Sequence, residues 1–324
     1  MKLATFEVRG EGHAAPAGDR QRIVAVVDSD GAIVDLQAAH EILHGKSSPH
    51  LASMLALLDG GEPARDSARQ LAEAAPRLSV RSLEDVRLLA PLPRPRQIRD
   101  FLCFEEHLQN VVEQMKRRGA AGALGIAPVW YEQPVYYTAN ALAVVGPDAE
   151  VTWPSYSESM DYELELALVI GRTGRNIPRQ QALSYAFGLT ILNDLSARDA
   201  QMRVMPAGLG PGTGKDFDGG NVLGPWITTL DEIGDPQALA MEVRVNGERW
   251  GGGNSASMHH DFAAMIAHVS RGSTLFPGEV LASGTVGTGC AFELGRELAD
   301  GDLVELEVER IGVLRTRVRR APSG

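Results

Sequence analysis

The chain has 324 residues, of which 44% are apolar, 35 are glycine and 18 are proline. This length can bury one large core, alone or with a small appended domain, and the glycine and proline content argues against a helical bundle. The formal net charge of −11 argues against a nucleic-acid partner, because a phosphate backbone would be repelled over most of the surface.

The first 90 residues are predicted to form a small α+β domain, because short apolar runs are followed by stretches of helical periodicity. Pro91, Pro93 and Pro95 then impose an extended backbone that lacks three amide donors, and we place the domain boundary there. The elements predicted before it are, in chain order, strands at residues 2–8 and 23–27, a turn at Asp30 and Gly31, and helices at residues 51–58 and 64–74.

Residues 91–324 alternate strand-like runs with glycine-rich connections and contain few helical patterns. This alternation predicts an antiparallel or mixed β fold and disfavours a doubly wound one, so the protein as a whole should be mainly β with some α. The predicted strands are residues 140–145, 162–170, 189–193, 240–245 and 304–308, and the predicted helices are residues 105–118 and 260–269.

An acidic strand gives the strongest local signal. Alternation in residues 160–171 puts Asp161, Glu163 and Glu165 on one face, and the strand is wholly apolar at residues 167–170. Adjacent ionised carboxylates at the end of a buried strand are costly unless a cation neutralises them, and a hard divalent ion prefers oxygen ligands. A half-exposed strand with an acidic solvent face explains this segment alone equally well.

Two further segments favour a site. The apolar run 189–193 ends at Asp194, and the turn that follows carries Arg198 and Gln201. Upstream, Asp100 precedes His107 by seven residues, and histidine suits a general base because its unperturbed pKa lies near neutrality. Polar groups bunched at the end of a buried strand are typical of a functional site.

Taken together, the motifs follow one another in a specific order. They are Asp100 with His107, Glu163-x-Glu165, Asn193-Asp-x-Ser-Ala-Arg-Asp-x-Gln201, Lys215-Asp-Phe, Leu223-Gly-Pro-Trp and Ser283-Gly-Thr285. In this order and spacing the chain resembles the fumarylacetoacetase (fumarylacetoacetate hydrolase) family over roughly residues 90–310. The resemblance implies a mixed β-sandwich roll for the larger domain and a homodimer.

The resemblance also implies a set of site residues around one divalent cation, with Mg²⁺ favoured over Ca²⁺ or Mn²⁺. It implies that His107 activates water, that Glu293 orients His107, and that Lys215 stabilises an oxyanion with Gln201. The implied metal ligands are Asp100, Glu163, Glu165 and Asp194, and the further residues implied to contact the substrate are Arg198, Tyr137 and Thr285.

The chain departs from fumarylacetoacetase itself at the pocket wall. Leu102 stands where that enzyme has a tyrosine two residues after the metal aspartate, and Thr138-Ala-Asn140 replaces a His-Gly-Arg segment. The segment from Ser283 to Glu293 is shorter than its counterpart. These differences leave the identity of the substrate open.

The leading functional hypothesis is hydrolysis of a carbon–carbon bond in a 1,3-dioxo acid such as an acylpyruvate, since a metal-stabilised enolate makes a carbanion leaving group feasible. The same site could instead serve a 2-oxo acid decarboxylase, isomerase or dehydratase. A hypothesis of another class is a noncatalytic β protein that a cation stabilises. In the enzyme readings the partner is a small dioxo or 2-oxo acid.

Other patterns suggest the setting of the protein. We find no run of about 18 apolar residues and no charged-then-apolar leader, so we expect no membrane partner and a cytoplasmic location. Cys103 and Cys290 are too few for a disulfide framework and are expected to be free thiols. The glycine-rich stretch 208–216 is predicted to be a loop that closes over the substrate rather than an inert connection.

Overall fold

A computed structural model of the protein describes residues 1–9, 22–26, 31–119 and 125–321. In these ranges no helix is both long enough and apolar enough to cross a bilayer. The helices are α1 (Leu36–His44), α2 (Met54–Asp59), α3 (Gly61–Ala74), α4 (Glu105–Arg117), α5 (Pro128–Glu132), α6 (Arg198–Val204), α7 (Leu230–Ile233) and α8 (Phe262–Ser270). The strands are β1 (Lys2–Val8), β2 (Arg22–Val26), β3 (Ala32–Asp35), β4 (Val80–Ser82), β5 (Val86–Leu89), β6 (Gln97–Phe101), β7 (Tyr136–Ala139), β8 (Val144–Val145), β9 (Ala149–Thr152), β10 (Met160–Asp161), β11 (Leu164–Ile170), β12 (Gly174–Arg175), β13 (Ala186–Asp194), β14 (Ser196–Ala197), β15 (Asn221–Thr229), β16 (Ala240–Val245), β17 (Glu248–Asn254), β18 (Thr274–Leu275), β19 (Glu279–Ala282), β20 (Leu303–Val308) and β21 (Gly312–Arg319).

One large mixed sheet runs through the molecule. Its strand order is β4-β3-β2-β1-β15-β13-β11-β19-β6-β7, with β5 paired to β1 and β8 paired to β15. The N-terminal strands join it where β1 runs antiparallel to β15, with Lys2 opposite Thr228 and Leu3 opposite Ile227. The division into two domains at the proline run remains a prediction.

The centre of the large sheet is buried on both faces. Along β11, Leu166 and Leu168 belong to the core shared with the five-stranded sheet β17-β16-β20-β21-β9, and this core also contains Val243. The alternate residues Ala167 and Val169 pack in a second core with helices α1 to α3. A strand covered on both sides must be apolar throughout, which explains the uninterrupted apolar run in this part of the sequence. The predicted mainly β class, with a β-sandwich and a smaller α+β unit, is confirmed.

The acidic strand is not continuous, contrary to the prediction for residues 162–170. It divides into β10 and β11 because side chains take over the backbone amides between them. Asp161 Oδ1 accepts from the Tyr162 amide at 2.9 Å, and Asn193 Oδ1 accepts from the Glu163 amide at 3.1 Å. As a result β10 leaves the large sheet and pairs with β14, so Asp161 does not share a sheet face with Glu165.

Other element boundaries shift for similar local reasons. The strand predicted at 140–145 is reduced to β8, because Asn140 Oδ1 accepts from the Leu142 amide at 2.9 Å and forms a turn. Helix α2 begins at Met54 because the Ser53 hydroxyl caps it. Helix α1, capped by Asp35, was not predicted. Two predicted positions lie outside the described residues. They are Val27, the last residue of the strand predicted at 23–27, and Asp30, the first residue of the predicted turn.

Candidate active site

Three buried carboxylates converge at one end of the large sheet. We call Asp100, Glu165 and Asp194 the acidic trio; they come from β6, β11 and β13. One oxygen from each lies within 4.8 Å of the others. All three residues are at most 2% exposed, so their charges are removed from solvent.

Strand register explains why the acidic trio shares one face. Ala282 of β19 lies opposite Asp100 on one side and opposite Ala167 on the other. Ala167 follows Glu165 by two positions on β11, so the side chains of Asp100 and Glu165 point to the same face. Glu165 lies opposite Leu192, so Asp194, two residues further along β13, points to the same side. Three segments that are distant in the sequence therefore place their carboxylates on the face that packs against the N-terminal helices.

The acidic trio holds more negative charge than its surroundings neutralise, because within the described residues only Asp194 contacts a cation, Lys215. Burial raises the pKa of Asp100 well above its ordinary value, and the charges of Glu165 and Asp194 raise it further. Burial and the charge of Asp194 likewise raise the pKa of Glu165 well above its ordinary value. Within the described residues, Asp100 Oδ1 and Asp194 Oδ1 are buried without a hydrogen-bond partner. Such oxygens normally have a partner in a folded protein.

The acidic trio therefore fits a hard divalent cation, which binds carboxylate oxygens and would neutralise them. Its orphaned oxygens and raised pKa values are the observations that support this fit. Glu163, the other predicted ligand, does not join the trio in this geometry. Its role as a ligand remains a prediction.

Glu163 lies instead in an ion-pair network, which we define as Asp161, Glu163, Arg198 and Lys215. Lys215 Nζ contacts both Glu163 Oε2 and Asp194 Oδ2. Arg198 Nη2 lies 2.7 Å from Glu163 Oε1 and 2.6 Å from Asp161 Oδ2. Burial acts to raise the pKa of Glu163, but the charges of Lys215 and Arg198 outweigh it and lower that pKa. Burial acts to lower the pKa of Lys215, but Asp194 and Glu163 raise it.

A histidine–glutamate pair lies beside these groups. His107 Nδ1 is 2.7 Å from Glu293 Oε1, as the resemblance implied. The other oxygen of Glu293 accepts from Asn110 Nδ2 and from the Thr288 amide, both at 2.8 Å, while Gln114 donates to the Glu293 carbonyl at 2.8 Å. The carboxylate thus holds the Nδ1 proton of the imidazole and leaves Nε2 as the nitrogen that can take up a proton.

Sequence reasoning missed Asn110 and Gln114 as part of this arrangement. They stand three and seven residues after His107, so all three lie on one face of α4. That spacing was the available signal. The face holds Glu293 by its carboxylate and its carbonyl, which fixes the position of the glutamate beside His107.

Sequence reasoning also missed the role of Asp161. Its carboxylate accepts from Arg198 Nε at 2.8 Å, from the Ala291 amide at 2.8 Å and from the Phe292 amide at 3.1 Å. Asp161 therefore joins the guanidinium of the ion-pair network to the segment that carries Glu293. The acidic alternation of the sequence identified the residue but predicted the wrong face for it.

The remaining predicted residues have distinct positions. The Tyr137 hydroxyl donates to Asp194 Oδ2 at 2.8 Å. Burial, and to a smaller extent the charge of Asp194, raises the pKa of Tyr137 well above its ordinary value. Gln201 Oε1 accepts from Arg198 Nη1 at 3.0 Å. A Cβ at Gly214 would lie 2.4 Å from the Cβ of Gln201, so only glycine lets the Lys215 loop approach α6 this closely.

A cavity of about 410 Å³ brings most of these residues together. Thr285 is buried, and it is not among the described residues that line this cavity. Glu293 is likewise not among the described lining residues, but it contacts His107, which lines the cavity. The predicted site residues that line the cavity are Asp100, His107, Tyr137, Glu163, Glu165, Asp194, Arg198, Gln201 and Lys215.

A β-sandwich that holds buried carboxylates, two cations and a histidine–glutamate pair in one cavity has the features of an enzyme for small acidic substrates. Sequence comparison assigns the family. The profile of the fumarylacetoacetate (FAA) hydrolase C-terminal family matches residues 96–319, and the chain belongs to the fumarylacetoacetate hydrolase family.

The curated relatives include tautomerases. The chain is 35% identical over 267 residues to the human mitochondrial oxaloacetate tautomerase FAHD2A, a match that covers 82% of this chain and 79% of the relative. It is 30% identical over 326 residues to the oxaloacetate tautomerase YisK of Bacillus subtilis, covering 98% of this chain and all of the relative.

Solved structures of the family have the same fold. A fumarylacetoacetate hydrolase from Exiguobacterium antarcticum is 30% identical, with a TM-score of 0.73, over 99% of this chain and all of that one. A maleylpyruvate hydrolase from Sphingobium sp. SYK-6, in complex with manganese(II) and pyruvate, is 25% identical, with a TM-score of 0.71, over 99% of this chain and all of that one. The predicted fumarylacetoacetase-type fold is confirmed, whereas both tautomerases and hydrolases occur among the relatives.

Proposed function

We propose that this protein is a metal-dependent tautomerase that interconverts the keto and enol forms of a 2-oxo acid of the oxaloacetate type. The observation that carries the proposal is the His107–Glu293 pair, whose imidazole opens on the same cavity as the acidic trio. Two tautomerases at 30% and 35% identity, one matched along its whole length, support this reaction over the hydrolysis favoured by sequence alone.

The acidic trio would hold a divalent cation, and that cation would supply Lewis-acid stabilisation to substrate oxygens. Asp100, Glu165 and Asp194 are the residues that would ligate it, and Glu163 is a proposed fourth ligand. Mg²⁺ is the favoured ion, with Ca²⁺ and Mn²⁺ as alternatives.

Proton transfer falls to His107. Its Nε2 removes a proton from C3 of the 2-oxo acid as an enolate forms, and then delivers that proton to the enolate oxygen. Glu293 holds the ring through Nδ1 and stabilises the imidazolium that exists between the two steps. The reverse sequence converts enol to ketone, so no atom is gained or lost.

The cations of the cavity would stabilise negative charge on the substrate. Arg198 would present a fixed positive charge to a substrate carboxylate, because Asp161 accepts from its Nε and Nη2 and so fixes the plane of the guanidinium. Lys215 lies nearer the acidic trio and suits a developing enolate oxygen.

The test is the rate at which the enol absorbance of oxaloacetate disappears, with and without a divalent cation. EDTA should abolish the enzymatic rate, and His107→Ala should lower kcat by about 10²- to 10⁴-fold without changing Mg²⁺ affinity measured by calorimetry. An unchanged rate in His107→Ala would contradict the assignment of the base. If neither the protein nor the His107→Ala variant accelerated the reaction and Glu163→Ala unfolded the protein, the noncatalytic reading would prevail.

Hydrolysis of an acylpyruvate or of maleylpyruvate is the second candidate. It is favoured by the same imidazole, which could activate water, and by the similarity to the maleylpyruvate hydrolase structure. Product analysis by NMR separates the two reactions, because hydrolysis yields pyruvate and a second acid, while tautomerisation leaves the carbon skeleton intact. Release of carbon dioxide would instead identify a decarboxylase.

A further inference from the structure

The side chains that helix α4 presents to the cavity change from polar to apolar along the helix. His107 lies in its first turn, and Leu108, Val111 and Met115 line the same cavity from the following turns. These apolar side chains are half-buried, and none of them is needed to hold His107 or Glu293. The helix therefore presents a polar group near the acidic trio and an apolar surface beyond it.

Helix α6 shows the same change. Arg198 and Gln201 line the cavity from its first turn, Met202 lines it further along, and Met205 lines it from the position directly after the helix. Met202 is 41% exposed and Met205 is 48% exposed. Leu102, which is 40% exposed, adds to this surface.

Among the described lining residues, every charged side chain belongs to the acidic trio, to the ion-pair network or to the His107–Glu293 pair. The apolar part of the wall therefore offers no charge to a second carboxylate of the substrate. Contiguous exposed apolar surface is unusual on a folded protein and marks a binding surface. Because this surface is continuous with the proposed catalytic groups in one cavity, its occupant is the substrate itself.

We infer that the outer part of the cavity is an apolar subsite for an alkyl or aryl substituent of the 2-oxo acid, an inference that rests on the proposed tautomerase function. The subsite consists of Leu102, Leu108, Val111, Met115, Tyr136, Met202 and Met205. Among the 2-oxo acids that the proposed function covers, the preferred substrate is then one that carries an apolar group beyond C3, and oxaloacetate would be a smaller substrate that leaves the subsite unfilled.

The inference is tested with straight-chain 2-oxo acids from 2-oxobutanoate to 2-oxooctanoate. The enzyme-catalysed exchange of the C3 protons in D₂O is measured by NMR with saturating Mg²⁺, after subtraction of the rate without enzyme. These substrates can enolise but cannot undergo acylpyruvate hydrolysis. We expect kcat/KM for exchange to rise about two- to fourfold with each added methylene until the subsite is filled.

A paired variant tests the residues. Met202→Gln combined with Met205→Gln preserves side-chain size, lies at exposed positions and should flatten the dependence on chain length. Leu78→Gln is the matched control, because Leu78 is 84% exposed and is not a lining residue of the cavity. The control should keep the dependence of the unmodified protein.

The outcomes separate the two proposals. If neither oxaloacetate nor any member of the series exchanges its C3 protons faster in the presence of enzyme, the proposed function fails. If exchange is catalysed but kcat/KM is flat or falls with chain length, the function stands and the subsite inference is overturned. The inference is also overturned if the double variant shows the same slope as the control.

Discussion

The acidic trio and the ion-pair network both contain buried carboxylates at one cavity, but the pKa values of these carboxylates shift in opposite directions. In the trio, burial and mutual repulsion raise the pKa values of Asp100 and Glu165. In the network, Lys215 and Arg198 overcome burial and lower the pKa of Glu163. Buried carboxylates need a compensating charge. Lys215 supplies one to Glu163 and to Asp194, but within the described residues no cation contacts Asp100 or Glu165. The difference identifies the trio as the place where a charge from outside the chain fits.

The largest expected effect is that of Glu165→Gln. Cation affinity measured by calorimetry should be lost, and activity should fall by about 10³-fold or more, because a bound metal contributes several kcal/mol of transition-state stabilisation. In EDTA, however, the variant should unfold at a higher temperature than the unmodified protein, because one repelling charge is gone. The control is Glu113→Gln at an exposed helical position. A lower melting temperature of Glu165→Gln in EDTA would contradict the contrast between the two groups.

Neutralising a charge in the ion-pair network should act in the opposite direction. Lys215→Met leaves Glu163 and Asp194 without their shared cation, and removing one partner of a buried pair costs about 3–5 kcal/mol. Urea unfolding in EDTA measures this loss, with exposed Lys46→Met as the matched control. Saturating Mg²⁺ should restore part of the stability. A loss no greater than that of the control would show that Lys215 is not a structural counter-charge.

Asp161→Asn tests the link between the network and the segment of Glu293. It keeps the size of the side chain but weakens the contacts to Arg198, so kcat/KM should fall about 10- to 100-fold, the worth of one or two hydrogen bonds to a charged group. The variant is compared with Asp199→Asn, whose carboxylate binds Ser157 and the Glu158 amide instead. If Asp161→Asn lowers stability but leaves kcat/KM intact, its role is structural only.

The last expected effect is a gradual dependence of metal-free stability on pH. Asp100 and Glu165 have folded-state pKa values above their unfolded ones, so their stabilising contribution is full below about pH 4 and is lost as pH rises through the raised values. Glu163 has a lowered pKa, so its contribution is present above its unfolded value and is lost as pH falls through the folded one.

The stability gap between Glu165→Gln and the unmodified protein in EDTA should therefore widen in favour of the variant as pH rises from about 4 to 7. The change should be about 1.4 kcal/mol for each pH unit over which a carboxyl is protonated only in the folded state. Denaturant unfolding at a series of pH values measures it. A gap that is constant with pH would mean that Glu165 titrates alike in both states.

The sequence allowed the β-rich class to be predicted, and it named most of the residues that the structure brings to one cavity, because both depend on local patterns. Apolar runs marked the strands, the end of one such run marked Asp194, and the spacing to His107 marked Asp100. The sequence could not show that the strand breaks after Asp161. The break depends on Asn193, whose Oδ1 accepts a hydrogen bond from the amide of Glu163, 30 residues away in the sequence. Pairings of this kind are invisible to periodicity.

The same reason explains the misplaced role of Asp161 and the unassigned Asn110 and Gln114. Their partners, Arg198 and the segment of Glu293, lie far away in the sequence and are brought close only by the fold. The homodimer, the cytoplasmic location and the loop closure expected for residues 208–216 remain predictions.

The pairing of β1 with β15 has a practical consequence for anyone who wishes to isolate the family domain. Removing the first 90 residues would expose the edge of β15 around Ile227 as a row of unpaired amides and carbonyls. It would also uncover the apolar face that α1 to α3 shield. Open edges of this kind recruit other chains, so the shortened protein should aggregate when it is expressed alone. A shortened version of the protein should therefore keep its amino-terminal strands.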